Sequence, residues 1–389
     1  MKRRIVYIVG DLSYPNGMSR VLSQKVNYLA EHTDFEMYVV LTENASMPHY
    51  YELSPKVQYV NFDINFEVIQ SMPLYRKVWL YYWKTSQYKR QLTDYLMQVR
   101  PDITVSVLRR EINFINDIPD GSKKVGEIHF NRKSYRVFNK SFFPSFVNEY
   151  VTKQWKKSLD KQVERLDRFV VLTHEDEDMW AGFANVLVIP NPIIKFPKVL
   201  SDCSHHHAIA VGRYTWQKGF DMLINAWKYV YEKHPDWMLD IYGAGNPAAF
   251  IELAERFGIS HVVCCHEAEA DIFSKYAESS IFVLSSRYEG LPLVLGEAMA
   301  TGLPIVSFSC PCGPKDIITN GKDGILVENG NVEKLAESIC YLIENEEVRK
   351  EMGRKGVMSA ERFREDLIMQ KWIELFDNCT KDQILKDYK

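Results

Sequence analysis

Residues 285–318 read SSRYEGLPLVLGEAMATGLPIVSFSCPCGPKDII, and this stretch decides how the second half of the chain is interpreted. It follows the apolar run 281–284, which predicts a buried strand, so it begins at the carboxyl end of that strand. Pro292 suits the first position of a helix, because its missing N–H would have no partner there. Unpaired N–H groups and the positive end of the dipole favour phosphate binding at such a helix start. The stretch therefore predicts a strand, a turn and a phosphate-binding helix.

Two glutamates of this stretch lie in mostly apolar surroundings. Glu297 comes about five residues into the predicted helix, roughly 7.5 Å along its axis. At that depth a carboxylate can bond a ribose diol while a diphosphate rests on the helix start. Glu289, just before the helix, is placed to face the sugar end of the same ligand. An unpaired carboxylate in an apolar run is costly, which favours a binding role over a merely solvated one.

Continuous apolar runs alternate with stretches of helical periodicity along the chain. Such runs are typical of a parallel sheet covered on both faces. Pro190 and Pro192 interrupt the pattern, since two prolines within three residues prevent a regular element. The sequence therefore predicts two doubly wound α/β domains, over residues 1–192 and 193–362, that face each other across a cleft. The predicted strands lie at 4–9, 37–41, 103–107, 124–128, 168–172, 208–211, 238–242, 262–265, 281–284 and 304–308.

Composition excludes several classes of protein. The 389 residues are 46% hydrophobic and 25% charged, which is unlike a disordered chain, a collagen or a coiled coil. The sequence contains no run of about 18 uncharged apolar residues, so it predicts no transmembrane span. The apolar run after MKRR is too short for a signal peptide, so we expect a cytoplasmic protein. Seven cysteines without metal-ligand spacing predict a reducing compartment and no zinc site.

Charge is distributed unevenly along the chain. Through Pro190 there are 26 Lys and Arg against 22 Asp and Glu, a balance of +4, whereas the remainder has 22 against 29, a balance of −7. Either the first half meets an anionic partner or the asymmetry arises by chance. Residues 73–92, PLYRKVWLYYWKTSQYKRQL, form either an interfacial helix on anionic lipid or a helix with aromatic core contacts and a solvated basic face. No nucleic-acid-binding module is recognisable.

The spacing of Glu289 and Glu297 resembles the E-x7-E motif of retaining glycosyltransferases with the GT-B fold, in particular glycosyltransferase family 4. Residues 211–227, VGRYTWQKGFDMLINAW, are similar to that family's VGR…QKG…LI-A segment. The resemblance covers residues 208–328. It implies that Arg213 and Lys218 bind the donor diphosphate and stabilise it as it leaves. Backbone groups at the helix start are implied as further donor contacts, namely those of Gly290, Leu291, Leu293 and Val294.

The segment PCGPKDII at residues 311–318 resembles the GP-x-E-I-I variant of bacterial family members that build surface polysaccharides. Asp316 stands in place of the usual glutamate. The resemblance implies that the backbone of Gly313 approaches the donor sugar, although a simple turn would also explain this glycine. Enzymes with this variant mostly use UDP donors, which implies a UDP-sugar here.

The first half of the chain resembles the family more loosely. Gly17 lies where the family often has a Gly-Gly pair that lets the backbone approach the donor phosphates; an ordinary Asn-Gly turn explains it equally well. His129 follows a strand and is our candidate for the family's histidine near the transferred sugar. Glu127 is a second polar candidate beside it. Arg132 and Lys133, which begin a basic stretch, are candidates for the acceptor side.

The resemblance implies a retaining enzyme that moves a hexose or N-acetylhexosamine from a UDP-linked donor to an anionic glycan or lipid-linked acceptor, as in surface polysaccharide synthesis. It implies that cationic side chains and amides hold the diphosphate, with no metal and no other cofactor. It also implies that residues 363–389 form a helical segment returning to the first domain. Because the first half is basic, we expect a peripheral contact at the inner face of the cytoplasmic membrane.

Three other functions fit parts of the pattern. Another GT-B enzyme, such as a nucleotide-sugar epimerase, would release an altered sugar without any acceptor. A non-catalytic sensor would bind the nucleotide sugar without turning it over. An NAD-dependent oxidoreductase would need a GxGxxG turn with an acidic residue about 20 positions later, and neither domain has this pattern.

Overall fold

The structure is a computed structural model that describes residues 2–133, 135, 137 and 144–387. The chain forms two compact units. Unit 1 comprises Met1–Val171, Met179–Ile189 and Ile368–Lys389, and unit 2 comprises Leu172–Asp178 and Pro190–Leu367. The chain enters unit 2 briefly at Leu172–Asp178 and again at Pro190, and it returns to unit 1 at Ile368.

Unit 1 is built on a seven-stranded parallel sheet of order β3-β2-β1-β4-β5-β6-β7. Its side chains alternate between two apolar clusters, so that Ile5 and Tyr7 of β1 pack on one face and Val6 and Ile8 on the other. The strands are β1 Arg4–Ile8, β2 Glu36–Leu41, β3 Gln58–Asn61, β4 Ile103–Ser106, β5 Lys123–Glu127, β6 Arg168–Val171 and β7 Val186–Val188. The helices are α1 Gly17–His32, α2 Leu74–Val99, α3 Ser145–Glu164 and α4 His174–Met179, of which α4 lies mainly in unit 2.

Unit 2 is built on a six-stranded parallel sheet of order β10-β9-β8-β11-β12-β13. Its strands are β8 His207–Val211, β9 Met238–Tyr242, β10 Val263–His266, β11 Ile281–Leu284, β12 Ile305–Phe308 and β13 Gly324–Val327. Its helices are α5 Phe220–Lys233, α6 Ala248–Arg256, α7 Ile272–Ala277, α8 Leu293–Ala300, α9 Pro314–Ile317, α10 Val332–Glu344 and α11 Glu346–Ala360. Helix α12, Glu365–Asp387, begins in unit 2 and continues in unit 1.

The predicted fold class is confirmed, because both sheets are parallel and each is covered by helices on both faces. In unit 1 the last helix contributes to this cover. Ile368, Met369, Trp372 and Phe376 of α12 are buried in the same cluster as Ile5 of β1. No helix among the described residues has the length and apolarity that a membrane span requires.

Candidate active site

The centre of the candidate site is an ion pair between Lys218 and Glu289. Strands β8 and β11 are neighbours in the sheet of unit 2, so the segments that follow them meet at the same edge. Nζ of Lys218 lies 2.6 Å from Oε1 of Glu289. The hydroxyl of Ser286 donates to the same oxygen, also at 2.6 Å. Both charged side chains are largely buried, which fixes the ammonium group at the carboxyl edge of the sheet.

Two glycines make this pairing possible. A Cβ atom on Gly212 would lie 3.0 Å from the aliphatic stem of Lys218. Gly219 has a φ of +65°, and a Cβ atom there would lie 2.1 Å from the carbonyl oxygen of Ser285. The hydroxyl of Ser285 donates to the carbonyl oxygen of Lys218 at 2.9 Å. The turn that carries Lys218 is therefore held directly against the loop that carries Glu289.

The start of α8 lies in the same loop. The helix begins at Leu293 with Pro292 as its N-cap, one position later than predicted. The first amides of a helix have no partner within it, so those of Leu293 and Val294 are available to an anionic ligand. The side chains of Leu291 and Val294 pack against the apolar cluster below. These residues, like Gly290, can therefore offer a ligand mainly their backbone.

The segment around Gly313 packs directly on this turn. Gly313 has a φ of +106°, and a Cβ atom there would lie 2.4 Å from Cδ of Pro292 and 3.3 Å from the carbonyl oxygen of Gly290. Only glycine satisfies both constraints. The carboxylate of Asp316, in the same segment, accepts a hydrogen bond of 2.7 Å from the amide of His174. Asp316 is thereby committed to the first turn of α4.

Glu297 is buried on the inner side of α8. Its Oε2 accepts a hydrogen bond of 3.3 Å from the hydroxyl of Tyr276 on α7. Arg213, unlike Lys218, Glu289 and Glu297, has an exposed side chain. Among the described residues its guanidinium makes no hydrogen bond or ion pair. The structure thus brings Lys218 and Glu289 together and leaves Arg213 with a side chain that can turn towards a ligand.

Unit 1 holds a second charged cluster, formed around Glu127 at the end of β5. Glu127 pairs with Lys25 of α1, and both side chains are fully buried. Nε2 of His129 lies 3.1 Å from the same carboxylate oxygen. Nζ of Lys25 also lies 3.7 Å from the centre of the Trp372 ring, a cation–π contact with α12. The predicted site residue His129 therefore belongs to a buried network that includes Lys25 of α1 and Trp372 of α12.

Burial and the charges within this network shift the pKa values of Glu127 and Lys25. Burial raises the pKa of Glu127, but the Lys25 ammonium and His129 outweigh burial and lower that pKa to about 2. Burial lowers the pKa of Lys25 more than the Glu127 carboxylate raises it, so the pKa of Lys25 lies below its ordinary value. At neutral pH Glu127 is therefore a carboxylate whose charge depends on Lys25.

Residues 195–357 match the family model of glycosyl transferases, group 1. Unit 2 therefore contains a glycosyltransferase group 1 domain. The match includes the Lys218–Glu289 pair and Glu297, and it ends before the last helix.

Two glycosyltransferases are similar to about half of this chain. An uncharacterized glycosyltransferase of Haemophilus influenzae is 34% identical over 215 residues, which cover 54% of this chain and 61% of that protein. The amylovoran biosynthesis glycosyltransferase AmsD of Erwinia amylovora is 31% identical over 229 residues, which cover 54% of this chain and 62% of that protein. The chain thus spans about three fifths of the length of these relatives.

The fold is shared over nearly the whole chain. The structure of Anabaena HepE in complex with UDP and glucose has a TM-score of 0.69 and covers 97% of this chain and 100% of its own, at 16% identity. The likeness supports the GT-B fold, built from two parallel-sheet units, that the resemblance implied.

Of the remaining predicted residues of unit 1, Gly17 and Arg132 have local structural roles. Gly17 is the first residue of α1, and the side chain of Asn16 caps that helix by accepting from the amide of Ser19 at 2.9 Å. Arg132 pairs with Asp160 at 2.8 Å, and its guanidinium lies 4.2 Å from the centre of the Trp180 ring. Lys133 is exposed. Arg132 is thus engaged within unit 1, whereas Lys133 is accessible.

Sequence reasoning did not identify Lys25 or Trp372 as partners of the glycosyltransferase candidates. A signal for Lys25 was present. It lies among Leu22, Val26 and Leu29, which recur at helical spacing and face the core. A lysine on that buried face requires a buried counter-charge, and Glu127 was the acidic candidate already named.

Proposed function

We propose that the chain is a retaining glycosyltransferase of family 4 that moves a hexose or N-acetylhexosamine from a UDP-linked donor to an anionic glycan or lipid-linked acceptor in surface polysaccharide synthesis. The observation that carries this proposal is the buried Lys218–Glu289 pair beside the start of α8. The glycosyltransferase group 1 domain and the amylovoran relative support the activity class. The UDP and glucose named for the HepE structure support the donor.

In this proposal the donor diphosphate rests on the amides at the start of α8. Lys218 and Arg213 supply positive charge to its oxygens, and Glu297 bonds the ribose. These groups together provide the charge that a departing diphosphate requires, so we propose a reaction without a metal ion or other cofactor. Glu289 keeps the Lys218 ammonium in place before the donor binds, which lowers the cost of ordering it.

Retention follows from a front-face displacement. The bond between the sugar and the diphosphate breaks, and the acceptor hydroxyl attacks from the side that the diphosphate leaves. A diphosphate oxygen takes the proton of that hydroxyl, so the enzyme supplies no covalent nucleophile. We further propose that Gly313 approaches the donor sugar and that His129, held by Glu127, faces the transferred sugar.

The acceptor side is proposed to be unit 1. In this scheme residues 1–192 and 193–362 are the acceptor and donor domains, and residues 363–389 complete the first. Helix α2 exposes Trp79, Tyr82 and Trp83, whose exposed fractions are 66%, 69% and 53%. Because these positions share one side of a helix, they form an aromatic face suited to a lipid headgroup boundary.

Helix α3 carries a similar face. Phe146 and Tyr150, one turn apart, are 69% and 64% exposed, and Lys153 and Lys157 are exposed nearby. Aromatic and basic side chains together favour a peripheral contact with anionic lipid. We therefore propose that the protein acts in the cytoplasm at the inner face of the membrane, where a lipid-linked acceptor is available.

Thermal unfolding with a panel of UDP-, GDP- and ADP-sugars tests the proposal. A ligand at about 100 times its dissociation constant stabilises the protein by about 2.7 kcal/mol, a readily measured shift. UDP-hexoses or UDP-N-acetylhexosamines should stabilise the chain, and the Lys218→Ala variant should respond less. Stabilisation by GDP-mannose but by no UDP-sugar would overturn the donor assignment.

Turnover separates the proposed transferase from the alternatives. With a stabilising donor and an anionic glycan acceptor, the product should have the anomeric configuration of the donor, which nuclear magnetic resonance of the product reports. Release of an altered free sugar without an acceptor would identify an epimerase. Binding without product in the presence of a range of acceptors would identify a sensor.

A further inference from the structure

A polar cluster lies on the two outermost strands of one side of the unit 2 sheet. Cys264 and His266 are on β10, and Asp240 lies directly opposite Cys264 on β9. Side chains alternate along a strand, so Cys264 and His266 share a face while Cys265 points to the other. Cys265 accordingly packs against the apolar core. The parallel register thus gathers a carboxylate, a thiol and an imidazole on one face of the sheet.

The potential ligand atoms of these side chains are close together. Those of Asp240, Cys264 and His266 all lie within 4.8 Å of one another. Oδ1 of Asp240 is 2.7 Å from Nε2 of His266, and its Oδ2 is 2.7 Å from Nδ1 of His207. All four residues are partly exposed, so solvent and solutes can reach the cluster.

We propose that Asp240, Cys264 and His266 bind a divalent transition-metal ion of the zinc class. Zinc takes carboxylate, thiolate and imidazole ligands at about 2.0–2.3 Å, which places ligand atoms roughly 3.3–3.8 Å apart in a tetrahedron. Rotations of side chains that are only partly buried bring the three atoms to that spacing. On binding, the Cys264 thiol loses its proton to solvent, and His266 exchanges its hydrogen bond to Asp240 for the metal.

His207 completes the arrangement from outside the ligand set. Its ring bonds the carboxylate oxygen that does not face His266, which orients Asp240 and leaves Oδ1 for the metal. Partners of this kind tune the affinity of metal sites without touching the metal. Three protein ligands leave a fourth position for water. His205 and His206 pair instead with Asp202 and Asp236, so the run of three histidines is not itself the site.

The proposed ion would tie the edge strand β10 to β9. Lys218 and Glu289 instead follow β8 and β11, so the site is separate from the candidate active site in the sheet order. Its expected effect is therefore on the stability of unit 2. The proposal stands or fails independently of any glycosyltransferase activity.

Cobalt is the probe that tests the site, because a thiolate bound to Co²⁺ gives a charge-transfer band in the near ultraviolet. Untagged protein, freed of metal by a chelator, should develop this band with one equivalent of Co²⁺. Cys264→Ser should abolish it, whereas the neighbouring Cys265→Ser should retain it. His207→Ala should weaken Co²⁺ binding by about 10- to 100-fold while keeping the band.

Zinc provides a second readout that does not depend on activity. Zn²⁺ should raise the melting temperature of the wild type and of Cys265→Ser, but not of Cys264→Ser or His266→Gln. Circular dichroism of each variant without metal establishes that it is folded. The absence of a Co²⁺ band in the wild type, or a band that Cys264→Ser keeps and Cys265→Ser loses, would overturn the proposal.

Discussion

Replacement of Lys25 by methionine should destabilise unit 1 far more than the loss of an ordinary surface charge. Methionine fills a similar volume, so the change removes mainly the ammonium group and its contacts with Glu127 and Trp372. The exposed fractions of the Lys25 and Glu127 side chains are 1% and 0%, so the remaining carboxylate cannot be hydrated. Removal of one partner of such a buried pair costs about 3–5 kcal/mol.

Native-state hydrogen exchange of α1 and β5 is the appropriate assay, because it reports on unit 1 without requiring the whole chain to unfold in one step. At about 1.4 kcal/mol per factor of ten, amide protection should fall roughly 100- to 5,000-fold. The double variant Lys25→Met/Glu127→Gln should recover most of the protection, since it removes both charges. Arg165→Met, which breaks an exposed pair with Asp117, should leave protection nearly unchanged.

The pH dependence provides a sharper test. In the wild type, Glu127 has a pKa lowered to about 2, so its stabilising contribution is complete above the ordinary carboxyl pKa and is lost only as pH falls towards 2. Without Lys25, burial becomes the larger effect and raises the pKa of Glu127. The charged form then destabilises the variant at neutral pH, and protonation relieves it as pH falls. The loss of unfolding free energy in Lys25→Met, relative to the wild type, should therefore become smaller between neutral pH and about pH 5. A loss below about 1 kcal/mol, or one that is constant over this range, would refute the buried ion pair.

Three further predictions concern the proposed enzyme. Lys218→Ala should lower kcat by about 10²–10³-fold with a smaller effect on donor affinity. Glu297→Gln should instead weaken donor binding by roughly 10- to 100-fold, because a ribose contact acts equally in ground and transition states. Titration calorimetry and steady-state kinetics separate the two effects, and unchanged donor affinity in Glu297→Gln would exclude the ribose role. A chain ending at Arg362 should lose solubility or most activity, since it lacks Ile368, Trp372 and Phe376, each contributing about 1.5–3 kcal/mol by burial; full activity of the shortened chain would contradict this. The protein should sediment with anionic but not neutral liposomes at low salt, and high salt should release it from them. The double variant Trp79→Ala/Tyr82→Ala should bind anionic liposomes less than the wild type. If the wild type does not bind anionic vesicles even at low salt, the acceptor is better explained as soluble.

The strands that sequence reasoning found and missed differ in their position in the sheet. Central strands such as β1 and β11 are buried on both faces, so they appear as continuous apolar runs. The unpredicted strands β3, β7 and β13 are all outermost in their sheets. Strand β3 has the sequence QYVN and no buried residue. Strand β3 therefore has no apolar run that would predict it, and only its pairing with β2 identifies it.

The candidate site was predictable where its residues are close in sequence. Glu289 and Glu297 lie on one turn and one helix, so their spacing alone carries the information. The contact of Lys218 with Glu289 depends instead on the adjacency of β8 and β11, which no linear spacing encodes. The same holds for Asp240 and Cys264, whose approach requires the register of two strands separated by a helix.

The return of the chain to unit 1 at residue 368 has a consequence for the order in which the protein is made. After Val171 the ribosome adds about 200 residues, mostly of unit 2, before Ile368 emerges, which takes roughly 10–40 s at 5–20 residues per second. During this interval Lys25 lacks its contact with the Trp372 ring, and the face of the unit 1 sheet that α12 later covers is exposed to water. Unit 2 has its full set of strands by then and can close first. The amino-terminal half of the chain, although synthesised earlier, is therefore the last to complete its core.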